Sequence, residues 1–192
     1  MSTVHDIACP GCGEPASLSA KECLYCGRPV IISTFNSIRD WSAPQVSKYM
    51  NAYKGVLSAG NTPDVELALA ICLLKLGVYD LAGTHVEHAI SSNVDNAEAY
   101  LYAAVACLAG KRPFLVPIAD IRTALQFLDS ARMLENRGVF DYLSGFIRFD
   151  FFERKFLRIS PNSDEEYQRA TRNGVTQADI AFVHELIRVP LG

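Results

Sequence analysis

The chain has 192 residues, enough for one ordinary domain and a small satellite, and its 49% hydrophobic and 20% charged content excludes a disordered polymer. A formal net charge of −3 supplies no large positive field to attract nucleic acid or an anionic membrane surface. The longest apolar stretches are too short to span a bilayer; residues 65–76, for example, are interrupted by Glu66 and Lys75.

At the start of the chain, residues 1–8 hold His5 and Asp6 and no apolar core, so a secretory leader is not expected and a cytoplasmic protein is. Cysteine usage agrees. Four of the six cysteines fall in two Cys-x-x-Cys pairs, a pattern that in a reducing compartment indicates metal rather than disulfides.

The run reads Cys9-Pro-Gly-Cys12-Gly, ten intervening residues, then Cys23-Leu-Tyr-Cys26-Gly. Each pair places two thiolates on one side of a tight loop, and two such knuckles complete a tetrahedron around one Zn²⁺. Gly13 and Gly27 follow the second cysteine of each pair, where positive φ lets backbone amides turn toward the sulfurs. Residues 13–22 suffice for a hairpin arm but not for a helix with a core of its own. So small a segment needs the metal to fold. Redox chemistry would want one such pair at a helix start beside a βαβ unit, and four thiolates leave no open position for a catalytic zinc. The run resembles the zinc ribbons that open many bacterial multidomain proteins, a resemblance covering about the first 30 residues.

Beyond Ser42 helical signals dominate. Ser42 with Pro44, Thr62 with Pro63, and Asn96 mark helix starts; Ser163 with Glu166 and Thr176 with Asp179 have the form of capping boxes. Gly60, Gly77, Gly110 and Gly174 stand where helices should stop. The fold class expected is mainly α, with short β-hairpins in an N-terminal ribbon (1–35), helical repeats (42–159) and C-terminal helices that cap the array (160–192).

The 34 residues from Pro63 to Asn96 resemble a tetratricopeptide repeat. Leu69, Ala70 and Leu73 fall at first-helix positions, Gly77 and Tyr79 at the turn, and Ala82, Val86, Ala89 and Ile90 on the second helix. Tyr100, Ala103, Ala104 and Cys107 lie 34 residues beyond Glu66, Leu69, Ala70 and Leu73. Ala124, Leu128 and Ala131 lie 42 residues beyond Ala82, Val86 and Ala89, which places an insertion of eight residues around 111–120, where Pro113 and Pro117 stand. A third copy begins near Val139, with Tyr142 and Phe149 in register and Gly145 one position early. The pattern departs from the family at the consensus tryptophan, replaced by Glu66 and Tyr100, and at the terminal proline, replaced by Val94 and Asn136.

The resemblance implies a concave groove lined by Leu67, Ile71 and Leu74, by Leu101, Val105 and Leu108, and by Leu143, Ile147 and Phe151, with Leu101 and Val105 partly accessible on its floor. An apolar groove of this kind needs a cover. Either another protein docks there, or the chain's own C-terminal helix does, since Ile180, Val183, Leu186 and Ile187 recur at helical spacing.

Few residues suggest catalysis. His184-Glu185-Leu186-Ile187-Arg188 opens like a zinc-protease motif but has Arg188 where the second histidine must stand. His85 and His88, three apart, could share a metal, yet the sequence displays no third ligand and a surface pair is expected. Cys72 and Cys107 read as inert core thiols, and Phe140, Phe146, Phe149, Phe151, Phe152 and Phe156 as core aromatics. No phosphate loop or nucleophile elbow is present.

The expectation is a non-catalytic adaptor with one structural zinc, binding a partner polypeptide and neither membrane nor nucleic acid. The rival is a nucleic-acid-binding regulator that uses the ribbon as reader. Against it stand the ribbon's own charges, Asp6, Glu14 and Glu22 facing Lys21 and Arg28.

Overall fold

The computed structural model describes residues 6–60 and 62–190. Residues 1–5, on which the expected lack of a leader partly rests, and residues 191–192 lie outside the described residues. Among the described residues the elements are two short strands, β1 (Asp6–Ala8) and β2 (Pro15–Ser17), and eight α-helices. These are α1 (Ala43–Ala59), α2 (Pro63–Leu76), α3 (Tyr79–Ser92), α4 (Ala97–Leu108), α5 (Ile118–Leu134), α6 (Gly138–Ile147), α7 (Ser163–Arg172) and α8 (Gln177–Ile187). The fold is mainly α with a small N-terminal hairpin, and no helix among the described residues is long and apolar enough to cross a membrane.

The chain divides into two compact units, residues 1–93 and 94–192. In the first, β1 and β2 pair antiparallel in the register Asp6↔Ser17, Ile7↔Ala16, Ala8↔Pro15. A 3₁₀ turn at Phe35–Ile38 leads into α1. Helix α1 starts as its sequence requires: the Ser42 amide donates to Gln45 Oε1 at 2.9 Å, and Pro44 sits in the first turn. Val46, Tyr49 and Tyr53 recur at i, i+3 and i+7, so one stripe of α1 is buried. Helix α2 packs between α1 and α3 and is buried at every position from Val65 to Leu74. Gly77, at φ 79°, ends α2 in the left-handed conformation that glycine adopts without a Cβ penalty, and α3 returns after two residues. Ala82 and Val86 are fully buried and Ala89 nearly so, which lets the two helices approach closely.

In the second unit α4 is capped by Asn96, whose Oδ1 accepts from the amides of Glu98 (3.1 Å) and Ala99 (3.3 Å). The connection to α5 is long, as the eight-residue offset implied, and holds a 3₁₀ turn at Pro113–Leu115. Ala124, Leu128 and Ala131 are fully buried on α5, which packs on α4. Helix α6 continues into a π-turn at Arg148–Phe152 and packs against α5, α7 and α8. Gly145 permits the close approach of α7: a Cβ on it would lie 2.8 Å from the Tyr167 ring, which would have to shift. Helix α8 packs against α4 and α6. Its Thr176–Asp179 box forms as expected, the Thr176 amide donating to Asp179 Oδ2 at 2.9 Å.

The box expected at Ser163 and Glu166 is displaced by one residue. Asn162 and Glu165 cap α7 instead, with the Glu165 amide donating to Asn162 Oδ1 at 2.9 Å. Ser163 is claimed by Glu153, which accepts from its amide (2.7 Å) and its hydroxyl (2.8 Å). Glu166 turns inward to Arg132 and Arg148. Two of the aromatics expected in the core are also misplaced: Phe149 is 46% and Phe156 95% exposed. Phe156 adopts φ 58° just past the 3₁₀ turn Glu153–Lys155, a left-handed exit that carries its side chain off the helix.

Candidate metal centre

The knuckles form at the two turns of the N-terminal segment. The first spans the β1–β2 connection, where the Cys9 amide donates to Glu14 O at 2.8 Å and the Gly13 amide returns to Cys9 O at 2.8 Å. The second repeats the geometry, Cys23 N to Arg28 O at 2.8 Å and Gly27 N to Cys23 O at 2.9 Å, and is closed by a bridge between Glu22 and Pro29. Gly13 (φ 90°) and Gly27 (φ 67°) hold the positive angles anticipated for them.

This doubling brings four sulfurs together. Cys9 Sγ lies 3.8 Å from Cys26 Sγ, Cys12 Sγ lies 3.8 Å from Cys23 Sγ, and all four fall within 4.8 Å of one another. A tetrahedron with metal–sulfur bonds of about 2.3 Å has edges of about 3.8 Å, so the donors stand where one metal ion needs them. Cys9 and Cys23 are buried on a small core with Val30, flanked by Ile7, Ala16 and Ala20, while Cys12 and Cys26 face solvent.

Backbone amides aim at the sulfurs. Gly11 N donates to Cys9 Sγ at 3.3 Å, and the amides of Tyr25 and Cys26 donate to Cys23, whose thiol falls to about 7. At Cys12 the Glu14 amide favours the thiolate, but local desolvation and the sulfurs of Cys26, Cys23 and Cys9 outweigh it and push the thiol up to about 12. Four thiolates crowded this closely repel one another, and a divalent cation at their centre removes that repulsion.

Helix α1 buttresses the site. Lys48 Nζ donates to Gly11 O at 2.8 Å. The Tyr53 hydroxyl donates to Val30 O and accepts from the Ile32 amide, both at 3.0 Å. The Tyr49 hydroxyl is buried beside the cluster, and desolvation followed by the nearby Cys9 and Cys26 raises its pKa. Because nothing lies within 4 Å of a Cβ at Gly27, Gly27→Ala should cost only backbone strain, about 1–2 kcal/mol. Chelator competition should show metal affinity weakened by about 5–30-fold, with the fold retained.

The nine residues of the expected groove are not presented to solvent. Leu67, Ile71 and Leu74 are buried in the first unit, and Leu101, Val105, Leu108, Leu143, Ile147 and Phe151 in the second. Leu101 and Val105 are both 0% exposed, so the accessible floor expected at these two positions is corrected. The reason lies in their helices: α2, α4 and α6 are apolar almost all round, and such helices are core.

The histidines separate into two cases. His184 is buried, its Nδ1 donating to Val189 O at 2.8 Å while Nε2 accepts from the Tyr142 hydroxyl at 2.9 Å, so it fastens the end of α8. His85 and His88 do have a third partner, Glu66 of α2, which sequence spacing concealed. Cys72 is a buried thiol pushed up to about 12 by desolvation, as an inert core cysteine should be. No protein-family model matches the chain, and no curated protein matches it either.

Proposed function

We propose that the protein is a non-catalytic adaptor whose metal is a single structural Zn²⁺ held by Cys9, Cys12, Cys23 and Cys26, and whose helical part is a tetratricopeptide-like array. Zinc is favoured because it accepts four thiolates in a closed tetrahedron without redox demands. Support for the array comes from helix pairs α2–α3 and α4–α5, which meet through small residues at corresponding positions. The C-terminal helix acts as the cover of the apolar face of α4 and α6, through Phe182, Val183, Leu186 and Ile187.

The observation that carries the binding role is at the ribbon tip. Leu24 is 98% and Tyr25 69% exposed, although both sit between two metal ligands on a tightly hydrogen-bonded turn. A rigid knuckle holding two large apolar side chains in water stabilises nothing in its own unit. It suits an anchor for a partner polypeptide, with Tyr25 supplying the amphipathic ring common at such sites.

Tagged chain should retain a defined protein partner from native lysate, and the double variant Leu24→Ser/Tyr25→Ser should lose that partner while keeping its metal and helicity. Equal recovery by both proteins contradicts the proposal. Retardation of nucleic acid at low salt, abolished by the same variant, would favour the ribbon as a nucleic-acid reader instead.

A further inference from the structure

Glu66 occupies a position where a repeat of this kind would carry a bulky apolar residue, and a carboxylate buried there requires a reason. Its residue is 7% exposed, on the face of α2 that meets α3. From α3, one turn apart, His85 and His88 both direct Nδ1 at it: His85 Nδ1 lies 2.5 Å from Glu66 Oε2, and His88 Nδ1 lies 3.5 Å from Oε1. One ligand atom from each of the three residues falls within 4.8 Å of the others. The helix hairpin thus gathers two imidazoles and one carboxylate at a single point. The three differ in access, since the side chains of Glu66, His85 and His88 are 9%, 23% and 56% exposed. The site has a dry floor and a wet mouth.

We infer that Glu66, His85 and His88 form a second metal site, distinct from the four cysteines, which binds a divalent first-row transition ion through two nitrogens and one oxygen. Imidazole with carboxylate suits Zn²⁺, Ni²⁺, Fe²⁺ and Co²⁺ rather than the hard ions Mg²⁺ and Ca²⁺. With bonds of about 2.0–2.2 Å the three ligand atoms must stand roughly 3.0–3.5 Å apart. The His88 contact already meets this. His85 Nδ1 faces the other carboxylate oxygen, Oε2, so a rotation of the Glu66 carboxylate is what presents one oxygen to both imidazoles. Three protein ligands leave one or more positions on the solvent side for water or an external ligand, whereas the thiolate site leaves none.

The full chain, its cysteine site first filled with one equivalent of Zn²⁺, is titrated with Co²⁺. A second equivalent should bind and give weak visible bands without sulfur-to-cobalt charge transfer, because no thiolate is involved. His88→Gln changes a half-exposed side chain and leaves the core intact; it should weaken this step by at least about tenfold, with no effect on the zinc held by cysteine. Glu66→Gln, nearly isosteric, should do the same, with circular dichroism confirming that α2 and α3 remain folded. Absence of a second equivalent in excess metal overturns the inference, as does binding that His88→Gln leaves unchanged. Charge-transfer bands on the second equivalent would also overturn it, by assigning that ion to cysteine.

Discussion

Replacing Cys23 with serine is expected to abolish metal binding at the ribbon and to unfold residues 6–30. The buried apolar part of that segment amounts to Cys9, Cys23 and Val30 with partial cover from Ile7, Ala16 and Ala20, too little to hold a chain of this length. Structural zinc contributes about 10–16 kcal/mol in zinc-finger peptides, the largest single term available here. The loss should spread into α1, because Tyr53 and Lys48 bond directly to ribbon backbone at Val30, Ile32 and Gly11. Helices α4 to α8 belong to the second unit and have their own core, so most of the helical signal should survive. Metal analysis with circular dichroism checks both parts. Undiminished metal content in the variant would contradict the ligand assignment, and a complete collapse of helicity would contradict the independence of the second core.

The second large effect is expected at Glu166. Its carboxylate is fully buried, with Oε2 2.9 Å from Arg132 Nη2 and Oε1 3.3 Å from Arg148 Nε. Asp141, also buried, lies 2.9 Å from Arg132 Nε, and Arg169 joins at 3.4 Å from Glu166. Burial, with smaller contributions from Arg132 and Arg169, depresses the pKa of Arg148, and Glu166 is the main group opposing that shift. Glu166→Ala therefore removes the anion shared by buried Arg148 and part-buried Arg132, and uncompensated buried charge of this kind costs about 3–5 kcal/mol. Urea unfolding should register that loss. A change below about 1 kcal/mol would mean that water or Asp141 already compensates the arginines.

What the sequence revealed and what it concealed follow the range of the interactions. The cysteine cluster was legible because each knuckle is local: two cysteines and a glycine within five residues specify the turn, the sulfur positions and the positive φ at Gly13 and Gly27. Helix starts at Ser42, Asn96 and Thr176 were legible for the same reason. Glu66 was hidden from His85 by 19 residues and lies still further in sequence from His88, and only the α2–α3 hairpin brings them together. A carboxylate inside the apolar run of α2, with two histidines on the following helix, was the available signal. The displaced box at α7 shows a different failure. Ser163 and Glu166 had the right spacing, but Glu153, Arg132 and Arg148 offered both side chains stronger partners from outside the helix. Apolar positions at repeat spacing do not say whether a face is open or covered, so the sequence left both a partner and the C-terminal helix as covers, and α8 packs on α4 and α6.

X-ray absorption at the zinc edge, on full chain loaded with one equivalent of Zn²⁺, tests the metal centre most directly. Four sulfurs at about 2.3 Å, with no nitrogen or oxygen in the coordination sphere, are predicted for Cys9, Cys12, Cys23 and Cys26 acting together. Fewer than four sulfurs, or zinc bound through nitrogen and oxygen while the cysteines titrate as free thiols, would contradict the account.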